Sequence, residues 1–154
     1  QKGAGGEPGG IEGIIVYNRY NVLGTIDKNT DCGIFGTLER TDNLFRNTEP
    51  VGIMATDEIK KGDAVIRCCV EGKVKEYKIR ITKTDKHTKE ENKGLEIKVT
   101  DPELLEITGG IIQGMSGSPI LQNGKIAGAV THVFVNDPAR GYGIFIENML
   151  KHVE

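Results

Sequence analysis

Serine is nearly absent from this chain. Of 154 residues only Ser116 and Ser118 are serine, and both stand in one hexapeptide, Gly114-Met115-Ser116-Gly117-Ser118-Pro119. An excess of charge of one sign is also lacking. Twenty Lys and Arg against 22 Asp and Glu leave a formal net charge of −2, and the isoelectric point near 6.0 implies no bulk attraction to nucleic acid or to an anionic membrane. No apolar run approaches the roughly 20 residues of a membrane-spanning helix, and no signal-peptide pattern is present. Cysteine is scarce and odd in number: Cys32, Cys68 and Cys69. They form no C-x-x-C pattern, which argues against a zinc site, and no metal or cofactor is expected. Adjacent Cys68 and Cys69 on a strand would face opposite ways and not pair, so the thiols read as free, mostly buried fillers.

Glycine, by contrast, is abundant, at 21 residues. At 16.8 kDa the chain has the size of one domain, or of two small lobes sharing a core. Residues 1–10 are a Gly-rich leading segment, and residues 11–154 read as the domain itself. Strand patterns follow at 11–17, 22–26, 33–38 and 51–56. A hairpin joins 63–70 to 73–82 at Glu71-Gly72. In its second arm Val74, Tyr77, Ile79 and Ile81 are read on one side with lysines on the other. A polar loop at 83–93 precedes alternating Leu95, Ile97 and Val99. Asn123-Gly124 is a strong two-residue hairpin turn between 120–122 and 125–135. A last strand is expected at 142–146 and a short helix within 145–153. Nine or more short strands with few helices predict an all-β fold, a sandwich or barrel.

The hexapeptide carries the chemistry. Glycines on both sides let the backbone turn sharply around Ser116, and the N–H groups of Gly114 and Ser116 are candidates for an oxyanion hole. Met115 is apolar and cannot pair with a freed N-terminus. A plain Gly-rich loop ahead of a hairpin is the competing reading.

Three stretches extend the pattern: GEPG at 6–9, VLGTIDKNTDCGIFGTL at 22–38, and the long run at 94–150. Together they resemble the stage IV sporulation protein B family of serine peptidases. The resemblance covers nearly the whole chain and is weakest at 42–93. It implies a chymotrypsin-like double β-barrel with its N-terminal part incomplete, a short C-terminal helix, Ser116 as nucleophile and Asp101 as triad acid. The family's histidine lies ahead of the GEPG stretch, in a segment not contained in these residues, so the chain alone is expected to be inactive. Starting at Gln1 without methionine, the chain reads as an excised piece of a membrane-anchored parent that also carries a PDZ domain. The resemblance further implies export to the space between mother cell and forespore, self-cleavage, and cutting of a membrane-bound inhibitory subunit of a sigma-factor processing complex.

Alternatives stay open at several positions. Asp101 before Pro102 is also the usual start of a helix, and Asp27 or Asp31 would stand nearer the acid's place in chymotrypsin-like enzymes. His87 and His152 read as solvated, whereas Thr131, His132 and Val133 read as the strand that pairs with substrate. Gly141 and Gly143 are expected to open a specificity pocket. The non-enzymatic reading is a peptidase-like β module that binds an extended peptide by strand addition. Association with the chain's own N-terminal segment and homo-oligomerisation by strand exchange are further expectations.

Overall fold

A computed structural model of the chain describes residues 14, 16–41 and 49–153. Strands β1 (Gly24–Thr30) and β2 (Gly33–Leu38) form a two-stranded antiparallel sheet. They are followed by β3 (Gly62–Cys69), β4 (Val74–Thr84), β5 (Leu95–Val99), helix α1 (Pro102–Thr108), β6 (Pro119–Gln122), β7 (Lys125–Phe134), β8 (Asp137–Phe145) and helix α2 (Ile146–Leu150). These later strands close into a barrel in the order β3-β4-β5-β8-β7-β6.

Period-two alternation fills the barrel. Tyr77, Ile79 and Ile81 of β4 and Leu95, Ile97 and Val99 of β5 are at most 1% exposed, and they meet Ile66, Ile120, Val130 and Phe145 from the other strands. Val74 does not join them. It has the opposite parity to Tyr77 and lies exposed on the outer face. Where β7 and β8 cross, a glycine is required for space: a Cβ at Gly128 would stand 1.9 Å from the Ile144 carbonyl oxygen. Asn123 and Gly124 both take positive φ, 51° and 75°, as a twisted two-residue hairpin turn demands.

Most expected elements are present, with shifted limits. The first hairpin strand starts at Gly24 and runs on to Thr30, and the last strand is longer than expected, Asp137–Phe145. Residues 51–56 make a single parallel bridge, Ile53 with Ile126, in place of a strand. They cap β7 just before its pairing with β8 begins at Gly128, and the chain then turns away through Glu58 N–H to Ala55 O. The leading segment 1–10 and most of the strand expected at 11–17 lie outside the described residues; Val16 and Tyr17 are in no strand. Among the thiols, Cys32 and Cys68 are half-buried and Cys69 is exposed, all of them free. Burial, and then the neighbouring Cys69, push the Cys68 thiol up to about 11.

Candidate active site

Ile111 and Ile112, both buried, bring the chain from α1 to the serine turn, with Ile111 N–H bonded to Pro138 O at 2.7 Å. Met115 is the anchor. Its side chain is 3% exposed and packs in the barrel core, so the backbone on either side must loop outward. Gly114 and Gly117 make that possible with φ of 96° and 88°. At Gly117 a Cβ would meet nothing within 4 Å, so the need for glycine there is conformational rather than steric. The turn is laced to β7 by Gly117 N–H to Val130 O at 2.8 Å and Val130 N–H to Ser118 O at 2.9 Å, and closed by Ser118 N–H to Met115 O at 2.9 Å.

Ser116 is left exposed at the apex, its hydroxyl donating to Thr131 O at 2.8 Å. The N–H groups of Met115, Gly117 and Ser118 are all taken by carbonyls. Those of Gly114 and Ser116 have no backbone acceptor among the described residues. An oxyanion hole requires donors of this kind aimed at one point beside the serine hydroxyl.

Ser116 opens into a hollow of about 240 Å³ whose walls include Thr131 and His132 of β7 and the turn Thr30, Asp31 and Cys32 between β1 and β2. The structure therefore brings Ser116, Thr131, His132 and Asp31 together. Val133 packs against the barrel core instead. His132 is exposed, and pairs with Tyr142 of β8. Pairing of β6 with β7 ends at Ala129, so among the described residues His132 and Val133 are paired on the β8 side only. The glycines expected to open a specificity pocket, Gly141 and Gly143, instead stand against packed side chains. Cβ atoms there would stand 2.6 Å from Ile111 Cδ1 and 2.7 Å from Ile120 Cδ1, so isoleucines fill that room.

Asp101 is not brought to this hollow. It caps α1, its Oδ1 accepting from Glu103 N–H at 3.0 Å and Leu104 N–H at 3.3 Å, while Oδ2 accepts from Lys78 N–H at 2.9 Å. Burial raises its carboxyl, but the backbone N–H groups of Lys78, Leu104 and Glu103 outweigh that and hold it below the ordinary range. Asp27 accepts from the Thr37 hydroxyl at 3.4 Å, away from Ser116. His87 is exposed, as expected of a solvated loop. His152 is half-buried rather than fully solvated, stacked on Phe35 with ring centroids 5.3 Å apart.

This chain is similar to known proteins in sequence pattern and in fold. The SpoIVB peptidase S55 family profile matches residues 1–150. The chain belongs to this family. Crystal structures of Rv3671c from M. tuberculosis H37Rv, one of a serine-to-alanine variant and one described as the Rv3671c protease, both in an inactive form, superpose with a TM-score of 0.52. They are 15% and 16% identical to this S55 member, with 83% of it covered in each case. At that identity the likeness is one of fold, and with the closed barrel it bears out the all-β, barrel reading; of the double barrel expected, the described residues form one closed barrel and a separate two-stranded sheet. The chain spans 62% and 64% of those proteins' own lengths. No curated protein sequence matches it. The S55 chain is thus a serine peptidase-like domain. The β1–β2 turn, whose Asp31 the sequence offers as an alternative acid, walls the site although it lies 85 residues from Ser116; the contribution of Thr30 and Cys32 to that wall has no local signal in the sequence.

Proposed function

We propose that this domain is the endopeptidase unit of a sporulation signalling protease, with Ser116 as the nucleophile of acyl transfer. The observation that carries this reading is the turn itself: an exposed hydroxyl at its apex, two unclaimed N–H groups beside it, and a half-paired strand alongside. An extended substrate would add to β7 at His132 and Val133 and present its carbonyl to Ser116. The Gly114 and Ser116 N–H groups would receive the oxyanion, each worth roughly 3–4 kcal/mol to the transition state. The hydroxyl now donates to Thr131 O, so it must rotate away toward a base before it attacks. That base is the histidine which the resemblance places ahead of residues 6–9. Its absence would leave Ser116 a weak nucleophile, and these residues inactive alone.

The resemblance assigns the triad acid to Asp101. A second reading is favoured by geometry, since Asp31 lines the Ser116 hollow whereas all three contacts of Asp101 are with backbone. Replacement by asparagine of whichever acid orients the base lowers kcat by about four orders of magnitude, and Asp101→Asn compared with Asp31→Asn separates the two. The substrates in this reading are the chain itself and the membrane-bound inhibitory subunit of the sigma-factor processing complex, cut in the space between mother cell and forespore. Association with the protein's own N-terminal segment, or with a second copy by strand exchange, belongs to the same reading.

The test is peptidase activity of the chain alone and after mixing with the family's upstream, histidine-bearing segment, each repeated with Ser116→Ala. Activity only on mixing, abolished in Ser116→Ala, is the expected result. Activity of the chain alone would assign the base to a histidine within it, His132 being the one in the hollow. Silence in both would favour a non-catalytic module that binds peptide along β7.

A further inference from the structure

Three side chains that the serine site does not use meet where the β1–β2 turn, the short 3-10 helix Glu91–Lys93 and the C-terminal residues come together. Cys32, Glu91 and His152 are all half-buried, and one donor atom of each lies within 4.8 Å of the other two. Cys32 Sγ stands 3.7 Å from Glu91 Oε2, and His152 Nε2 stands 3.4 Å from the same oxygen. The second separation is long for a nitrogen–oxygen hydrogen bond, which prefers roughly 2.7–3.2 Å. Both separations match the edges of a metal tetrahedron. A zinc ion with sulfur at about 2.3 Å, imidazole nitrogen at about 2.05 Å and carboxylate oxygen at about 2.1 Å holds sulfur and oxygen about 3.6 Å apart, and nitrogen and oxygen about 3.4 Å apart.

We infer that Cys32, Glu91 and His152 form a three-ligand site for a zinc-class transition-metal ion that ties the β1–β2 turn and the C-terminal residues to the barrel beside Ser116. Thiolate, imidazole and carboxylate together select zinc or its neighbours over magnesium and calcium, which take oxygen donors. Three protein ligands leave the fourth position for water. The surroundings hold the donors in place, as outer contacts of metal sites do. Phe35 stacks on the His152 ring, Lys28 Nζ donates to His152 O at 3.1 Å, and Asn92 Nδ2 donates to Asp31 O at 3.1 Å, joining two ligand-bearing segments. Burial, then the Glu91 carboxylate, push the Cys32 thiol up. On binding, the ion would replace the thiol proton, which is released to solvent. Because Cys32 also lines the Ser116 hollow, the ion fixes one wall of the active site. The site itself does not depend on the peptidase reading.

The experiment is calorimetric titration of the full chain with Zn²⁺, and optical titration with Co²⁺. One ion per chain and a thiolate-to-cobalt charge-transfer band in the near ultraviolet are expected. Cys32→Ser removes the band. His152→Gln weakens zinc binding by more than the roughly 10–100-fold that loss of an outer-shell partner costs. Cys69→Ser, exposed at the end of β3, leaves both unchanged. Far-ultraviolet circular dichroism of the variants should match the parent, because neither side chain belongs to the barrel core. Hydrogen exchange gives a second readout: zinc slows exchange of β1 and β2 amides in the parent and not in Cys32→Ser. Absence of the thiolate band, its survival in Cys32→Ser, or its loss in Cys69→Ser overturns the inference.

Discussion

The barrel and the β1–β2 sheet are both antiparallel, yet they stand at opposite ends of the burial scale. Ile66, Ile81, Leu95, Ile97 and Ile120 of the barrel are fully buried, whereas Ile26 and Ile34 of the two-stranded sheet are 64% and 63% exposed. Pairing is well formed in both: β1 and β2 keep register from Gly24 with Leu38 to Thr30 with Gly33, with one bulge. What separates them is what lies behind the apolar face. Closure of the later strands turns one face of each inward, and every inward side chain meets others. Two strands cannot close, and an isolated hairpin has little to bury. Among the described residues, side-chain contacts around Cys32, Asp31 and His152 join the β1–β2 sheet to the 3-10 helix Glu91–Lys93 and to the C-terminal residues, and it is this sheet that walls the Ser116 hollow. A closed, packed barrel thus carries Ser116 while a separate two-stranded sheet faces it.

Paired truncations test that contrast most strongly. Ile97→Ala should cost about 2–5 kcal/mol in urea unfolding, the usual range for emptying a packed core site. Ile26→Ala should cost less than about 0.5 kcal/mol, as an exposed position does; an equal loss at both would mean that the sheet is packed in solution against something further. Asp101→Ala comes next, at about 1 kcal/mol for a lost helix cap. The sign with pH follows from the lowered carboxyl. A group whose folded pKa is depressed stabilises above its ordinary, unfolded value, and that contribution fades as pH falls through the folded one. Asp101→Ala should therefore flatten the acid limb of a stability–pH curve, and an unchanged limb would contradict the cap. The smallest effect is expected inside the barrel. Tyr77 buries a hydroxyl with no partner among the described residues, so Tyr77→Phe should leave stability unchanged or raise it by up to about 1 kcal/mol. A clear loss of stability would reveal a hydrogen bond to that hydroxyl.

Local pattern made much of this legible. The serine turn, the Asn123-Gly124 hairpin and the Asp101-Pro102 helix start are each specified by two or three adjacent residues with special backbone or capping chemistry, and each is where it was expected. For Asp101 the two readings diverged. The helix cap can be seen from neighbours in sequence, whereas a partnership with Ser116 requires the chain to bring them together, and the fold spends both carboxylate oxygens on backbone N–H groups instead. Val74 shows the limit of pattern in a strand: a shift of one residue reverses the face, and only the barrel defines which face is inside.

By itself the sequence determined the β class, the serine turn and the family, because turn residues, alternation and motif are properties of short, contiguous stretches. The tertiary structure alone decided the strand order β3-β4-β5-β8-β7-β6, the filling of the space beside Gly141 and Gly143, and the meeting of Cys32 with Glu91 and His152. Those ligands stand 59 and 61 residues apart along the chain, outside any metal-binding spacing. Such contacts follow from which strands close the barrel, and closure is a property of all its strands at once.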